Sequence, residues 1–159
     1  MTTIFQKLVF SCIPSAKKRT EWIMKRKSKW GAIGDDFFFQ PRNLPTDTEL
    51  IYIGNNVNVA SDVVFVNHDI IGGMLNRKFQ TKEFGYYKDK IVIGSNVAIG
   101  TNVIILPGVT IGDNVIIGAG AIVSKDLPSD SVCGGVPARV ISSFDEFVEK
   151  RRMLSRKDN

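Results

Sequence analysis

Apolar positions recur every six residues along much of this chain. From Ile91 it reads IVIGSN, VAIGTN, VIILPG, VTIGDN, VIIGAG and AIVSKD, so Ile93, Ile99, Ile105, Ile111, Ile117 and Val123 stand on a strict period. Glycine follows at Gly94, Gly100, Gly112 and Gly118, while Leu106 and Ser124 take that place in the other two units. An earlier block, IYIGNN, VNVASD, VVFVNH, puts Ile53, Val59 and Phe65 on the same period, and Ile33-Gly34 with Phe39 begins it. Six is neither a helical repeat nor a long strand, because the alternation lasts only a few residues before Gly or Asn interrupts it. Short strands joined at corners are predicted. Gly takes positive φ without a side-chain clash and Asn visits the left-handed region readily, so both can turn the chain. One aliphatic residue per hexad then points inward. Three hexads make a coil that stacks on the next through parallel backbone hydrogen bonds, which predicts a β-solenoid over residues 33–142.

Both open ends of a solenoid expose unpaired edges and need covers. Ser15 precedes a predicted helix reaching about Lys29 and carrying Trp22 and Ile23, within an N-terminal helical segment, 1–32. Ser143 with Glu146 forms a capping-box signature before Phe144, Phe147 and Val148, which predicts a helix over Phe144–Leu154 within a C-terminal segment, 143–159. Between the repeat blocks, residues 67–90 break the period with Gly72, Gly73, aromatic residues and charges. They form an extruded loop, a place where function commonly resides.

The length of 159 residues suits one domain, and 43% hydrophobic with 23% charged residues argues against disorder. No apolar run approaches the roughly 18 residues of a membrane span, which predicts a soluble protein. Met1 to Pro14 is mildly apolar, but Gln6 and Lys7 interrupt it and the positive charge follows rather than precedes it, so it reads as mature sequence. Cys12 and Cys133 are far apart and lack metal-ligand spacing, which fits a reducing, cytoplasmic setting and no metal site. The net charge of +5 is an N-terminal property, since residues 1–30 hold eight Lys or Arg against Glu21 alone. A solvated helix face is the first reading of that segment, and attraction to an inner membrane surface or an anionic glycan is the second. Nucleic acid is disfavoured, because no recognition motif or interleaved aromatic platform accompanies the charge.

The hexads from about Ile33 to Ile141 resemble the hexapeptide-repeat acyltransferases. That resemblance implies an all-β fold, a left-handed parallel β-helix with short N- and C-terminal helices and one extruded loop. The hand is implied by the family alone, since parallel strands in general favour right-handed crossovers. His68 is the only histidine, and a lone histidine is in isolation more often a surface residue than a catalyst. Its context, VFVNHDII, resembles the sugar and capsular polysaccharide O-acetyltransferases of the family, where a histidine just before the loop is the general base. An alcohol is a weak nucleophile, and an imidazole can take its proton during direct attack on the thioester of acetyl-CoA. Asp69, Asp47, Glu49 or a backbone carbonyl could fix the tautomer of His68, and the chain alone does not choose among them.

The late run IGAGAIVSKDLPSDSVCGGVPARVI resembles the family's coenzyme A end. Carried over by position, Ala119, Ser124, Lys125 and Arg139 line the cofactor, with Lys125 and Arg139 meeting its phosphates. Gly100 and Thr101 are the family positions for the donors that meet the oxyanion. Ala98 stands where relatives often have Trp, and Ser142 where some have a further Arg. The run FFFQPRNLPTDTEL resembles the acceptor side of surface-polysaccharide acetyltransferases, which makes Gln40, Arg42 and Asp47 candidate contacts to a sugar or glycan. The family further implies a homotrimer with sites between subunits. Competing readings are N-transfer to an amino sugar and a non-enzymatic solenoid used for binding or assembly. A solenoid carbonic anhydrase is disfavoured, because such zinc sites draw on three histidines.

Overall fold

The computed structural model describes residues 4–155; the outermost ends of the predicted terminal segments, 1–3 and 156–159, lie outside the described residues. Two helices, α1 (Ile4–Ser11) and α2 (Ala16–Met24), lead to the short strands β1 (Ala32–Ile33) and β2 (Phe38–Phe39). A first full coil follows with β3 (Ile51–Ile53), β4 (Val57–Val59) and β5 (Val64–Phe65), and the extruded segment carries α3 (Ile71–Phe79). The winding resumes with β6 (Ile91–Ile93), β7 (Val97–Ile99), β8 (Ile104–Ile105), β9 (Thr110–Ile111), β10 (Val115–Ile117) and β11 (Ile122–Val123). The chain closes with β12 (Ser131–Gly134), β13 (Arg139–Ser143) and α4 (Phe144–Ser155).

The chain visits three sheets in rotation, in the orders β1-β3-β6-β9, β13-β12-β10-β7-β4-β2 and β11-β8-β5. Neighbours from β1 to β12 are parallel, and Val92↔Thr110, Val97↔Val115 and Ile104↔Ile122 are each three hexads apart. The predicted coil is therefore present. Ile51↔Ile91 and Val57↔Val97 show that the extruded segment leaves after β5 and returns to the register that uninterrupted winding would occupy.

The interior differs from expectation in one respect. Each hexad from Ile91 to Val123 buries two aliphatic residues, as with Ile91 and Ile93, Val97 and Ile99, and Val103 and Ile105, because alternation within a short strand returns residue i+2 to the same face. The corners also divide their labour differently. Asn56, Asn96 and Asn114 take the left-handed turn at φ of 54–58°, and their side chains form a ladder: Asn56 Nδ2 donates to Asn96 Oδ1 at 2.9 Å, Asn96 Nδ2 to Asn114 Oδ1 at 2.9 Å, and Asn114 Nδ2 to Asp130 Oδ1 at 2.7 Å. Gly94 keeps an ordinary φ and serves close approach instead. A Cβ there would sit 2.7 Å from the Gly112 carbonyl oxygen of the next coil.

An aromatic cluster covers the lower end. Phe10 packs on Trp22 and Phe39 with ring centroids 5.3 and 6.1 Å apart, and Trp30 meets Phe39 at 6.4 Å. The buried Arg19 clasps this end by donating to the carbonyls of Ile13, Pro14 and Gln40. Burial, with Arg42 nearby, holds its guanidinium below the ordinary arginine range. α2 ends at Met24 rather than near Lys29, and Lys27–Lys29 form a 3₁₀ turn. Clustered like charges disfavour another α-turn, and the 3₁₀ turn delivers the buried Trp30 to the core.

At the upper end the cover is β13, which pairs antiparallel with β12, rather than the terminal helix, none of whose residues is buried. α4 nonetheless begins with the expected capping box: the backbone N–H of Ser143 donates to Glu146 Oε2 at 3.1 Å, and that of Glu146 to Ser143 Oγ at 3.2 Å. Among the described residues no helix is long and apolar enough to cross a membrane.

Candidate active site

β5 delivers the site. The N–H of Val66 makes a last ladder bond to the Ile105 carbonyl, and the next residue, Asn67, is fully buried. Its Nδ2 donates to the carbonyls of Thr46, at 3.1 Å, and Asp47, at 2.9 Å. Asp47 sits in the left-handed region at φ 37°, a conformation that aspartate tolerates better than most residues. So held, its Oδ2 lies 3.1 Å from His68 Nδ1, with the Thr46 hydroxyl 3.5 Å from the same nitrogen. A carboxylate only accepts, so in the neutral ring Nδ1 carries the proton and Nε2 keeps its lone pair.

The base of the extruded segment is zipped beneath this ring. His68 bridges to Lys88 in antiparallel fashion, Asp69 N–H donates to the Tyr87 carbonyl, and Asp89 N–H donates to that of Asn67. The zipper sets the Tyr86 ring 5.3 Å from the imidazole, with 31° between their planes. Lost hydration raises the Tyr86 phenol above its ordinary range, and the carboxylates of Asp47 and Asp69 add to the rise, so it is a neutral hydroxyl at working pH. His68 is 28% exposed in its side chain and opens onto a cavity of about 440 Å³ lined also by Arg42, Leu44, Thr46, Asp62 and Val64.

The structure chooses among the orienting candidates. Asp47 faces the ring, Asp69 instead accepts from the Ile71 N–H at the start of α3, and Glu49 is exposed. The acceptor candidates part company: Arg42 lines the cavity of His68, whereas Gln40 lies in a separate groove with Ala98 and Gly100, its Oε1 accepting from Ser61 Oγ.

The cofactor candidates flank the sheet β5-β8-β11. Gly100, Thr101 and Ala119 lie at the corner entering it, and Gly120 N–H donates to the Thr101 carbonyl. Gly100 N–H is committed to the Ile117 carbonyl at 2.8 Å, so it is not free for an oxyanion; a Cβ there would lie 2.5 Å from the Ala119 nitrogen. Ser124 and Lys125 are exposed at the corner leaving the sheet, two coils above Val66 and hence about 10 Å along the axis. Ala138 N–H donates to the Ile122 carbonyl, which brings the exposed Arg139 to the upper end of that sheet. Both cations are exposed and can meet an anionic group. None of these residues lines the cavity of His68.

Sequence reasoning missed Asn67, Thr46 and Tyr86. The usable signal for Tyr86 was its place just before the winding resumes, opposite the residues that leave β5.

The family model described as bacterial transferase hexapeptide (six repeats) matches residues 90–125. Protein CapG of Staphylococcus aureus is 46% identical over 101 residues, which is 64% of this chain and 57% of CapG. Galactoside O-acetyltransferase of Escherichia coli K12 is 40% identical over 114 residues, 72% of this chain and 54% of that protein. The chain thus spans somewhat over half the length of these curated relatives. Among solved structures, a maltose O-acetyltransferase from Clostridium difficile 630 superposes with a TM-score of 0.65 at 30% identity, covering 86% of this chain and 81% of that one. A galactoside acetyltransferase in complex with coenzyme A superposes with a TM-score of 0.68 at 30% identity, covering 90% and 79%. The chain belongs to the hexapeptide-repeat acetyltransferase family.

Proposed function

We propose that this protein is an acetyl-CoA-dependent O-acetyltransferase acting on a sugar hydroxyl, in capsule or surface-polysaccharide synthesis, with His68 as general base. The observation that carries the reading is the Asp47–His68 pair at the cavity, which in the neutral ring places the proton on Nδ1 and the lone pair on Nε2. The names of the relatives, CapG and the galactoside and maltose O-acetyltransferases, support the substrate class. Acetyl-CoA supplies an activated acyl carbonyl and a thiol leaving group. His68 Nε2 takes the acceptor's hydroxyl proton as the oxygen attacks that carbonyl, and returns it to the departing thiolate of coenzyme A as the C–S bond breaks. Asp47 stabilises the imidazolium between these transfers, while Arg42 contacts the acceptor. Ala119, Ser124, Lys125 and Arg139 hold the cofactor, and Lys125 and Arg139 meet its phosphates. Gly100 and Thr101 shape the corner past which it runs, and Gln40 lies toward that groove. The coils wind left-handed, and three chains associate so that a neighbour completes the wall that one chain lacks. The setting is cytoplasmic.

Thiol release from acetyl-CoA, measured against a panel of sugars, amino sugars and glycan fragments, tests this. Turnover with a sugar that has no amine supports O-transfer. Turnover confined to amino sugars replaces it with N-transfer, and failure of all acceptors together with absent coenzyme A binding returns the protein to a binding scaffold. With the best acceptor, Asp47→Asn is expected to lower kcat by about ten- to a hundredfold, because an amide can donate to Nδ1 and favour the wrong tautomer. An unchanged kcat would remove Asp47 from the mechanism.

A further inference from the structure

α1 turns its apolar side away from the protein. On a helical wheel Ile4, Leu8, Phe5 and Val9 fall within an arc of about 140°, and they are 89, 63, 73 and 40% exposed. Phe10, on the other side, is fully buried against Trp22 and Phe39 and holds the helix in place. An ordinary surface helix has the reverse arrangement. The charge of residues 1–30 is predominantly of one sign, with the exposed Glu21 as the exception. Lys7 lies on the same helix, and past the short connection through Pro14 the exposed side of α2 presents Lys17, Lys18 and Lys25, with exposed Lys27 and Lys29 beyond it. Glu21 is the one acid in residues 1–30.

We propose that α1 and the basic side of α2 form a docking surface for an anionic lipid bilayer. Ile4, Phe5, Leu8 and Val9 enter the boundary between headgroups and acyl chains, and the surrounding lysines meet the lipid phosphates. The charge distribution favours this occupant over a second copy of the chain. A self-contact across the stripe would bring two patches of like charge together, whereas an anionic surface neutralises the lysines while it covers the apolar residues. The proposal is independent of the acyl-transfer reading.

The test is co-sedimentation of the full chain with vesicles of phosphatidylcholine alone and of phosphatidylcholine containing about one third phosphatidylglycerol, the anionic component that polybasic segments require. Wild type is expected to pellet with the anionic vesicles and to remain in solution with the neutral ones. Phe5→Ser with Leu8→Ser, and separately Lys17→Glu with Lys18→Glu, are each expected to reduce partitioning by about tenfold or more while thermal unfolding stays cooperative. The Lys pair is exposed, so it tests the surface even if the serine variant misfolds. No binding by folded wild type overturns the proposal, as does equal binding by both variants. A fall in native mass in the serine variant, with no vesicle binding by wild type, would assign the stripe to contact between chains.

Discussion

Replacing His68 with alanine is expected to lower acetyl transfer by about 10²- to 10⁴-fold, the range for loss of a positioned general base, while the fold survives. The side chain is 28% exposed and lies where β5 gives way to the extruded segment, so its removal leaves no cavity in the hexad core. Its partners, Asp47, Thr46 and Tyr86, lie outside the ladder that holds the coils together. The loss should therefore fall on kcat. Binding of coenzyme A, measured by calorimetry, is expected to match wild type, because the exposed cations Lys125 and Arg139 lie at the other end of the same sheet. Near-normal turnover in this variant would place the base elsewhere, and lost coenzyme A binding would make His68 a cofactor contact rather than a base.

The largest expected effect on stability is at a corner. Asn96 holds φ at 58°, accepts from Asn56 and donates to Asn114. Leucine at this position pays the left-handed penalty of about 1–2 kcal/mol and deletes two hydrogen bonds of about 0.5–1.5 kcal/mol each. Asn96→Leu should destabilise the fold by about 2–5 kcal/mol, seen as a fall in Tm of about 4–20 °C. Asn96→Gly separates the contributions, since glycine accepts the turn and loses only the ladder bonds; about half the effect is expected. If the two variants melt together, the left-handed backbone is not the reason for asparagine here.

Much of the architecture was legible because a six-residue period is a local property. The spacing of Ile93, Ile99 and Ile105, with Gly or Asn between, states where strands end and which side faces in. The structure adds that Ile91, Val97 and Val103 are inward as well, a consequence of the pleat. The capping box at Ser143 and Glu146 was equally readable, since its partners are three residues apart. α3 escaped notice. Gly72 and Gly73 weaken the helical signal, whereas in the structure Asn76 ties the helix to Phe84 by bonds in both directions, a contact made by tertiary closure of the segment.

The site divides along the same line. His68 stood out as a lone histidine at the end of a hexad block, but its orienting carboxylate did not, because adjacency favoured no candidate. Asp69 is next in the chain yet turns to α3, while Asp47 reaches the ring from 21 positions away through a turn held by buried Asn67. The sequence by itself determined the coil, its corners, the break in the winding and the histidine at that break. Only the tertiary structure decided which carboxylate meets that histidine, which aromatic ring lies against it, and that α1 turns its apolar side outward. The physical reason is range. Strand periodicity and caps are set by neighbours within one turn of chain, whereas a 3.1 Å contact across the base of an extruded segment exists only after the coils have stacked and the zipper beneath His68 has closed.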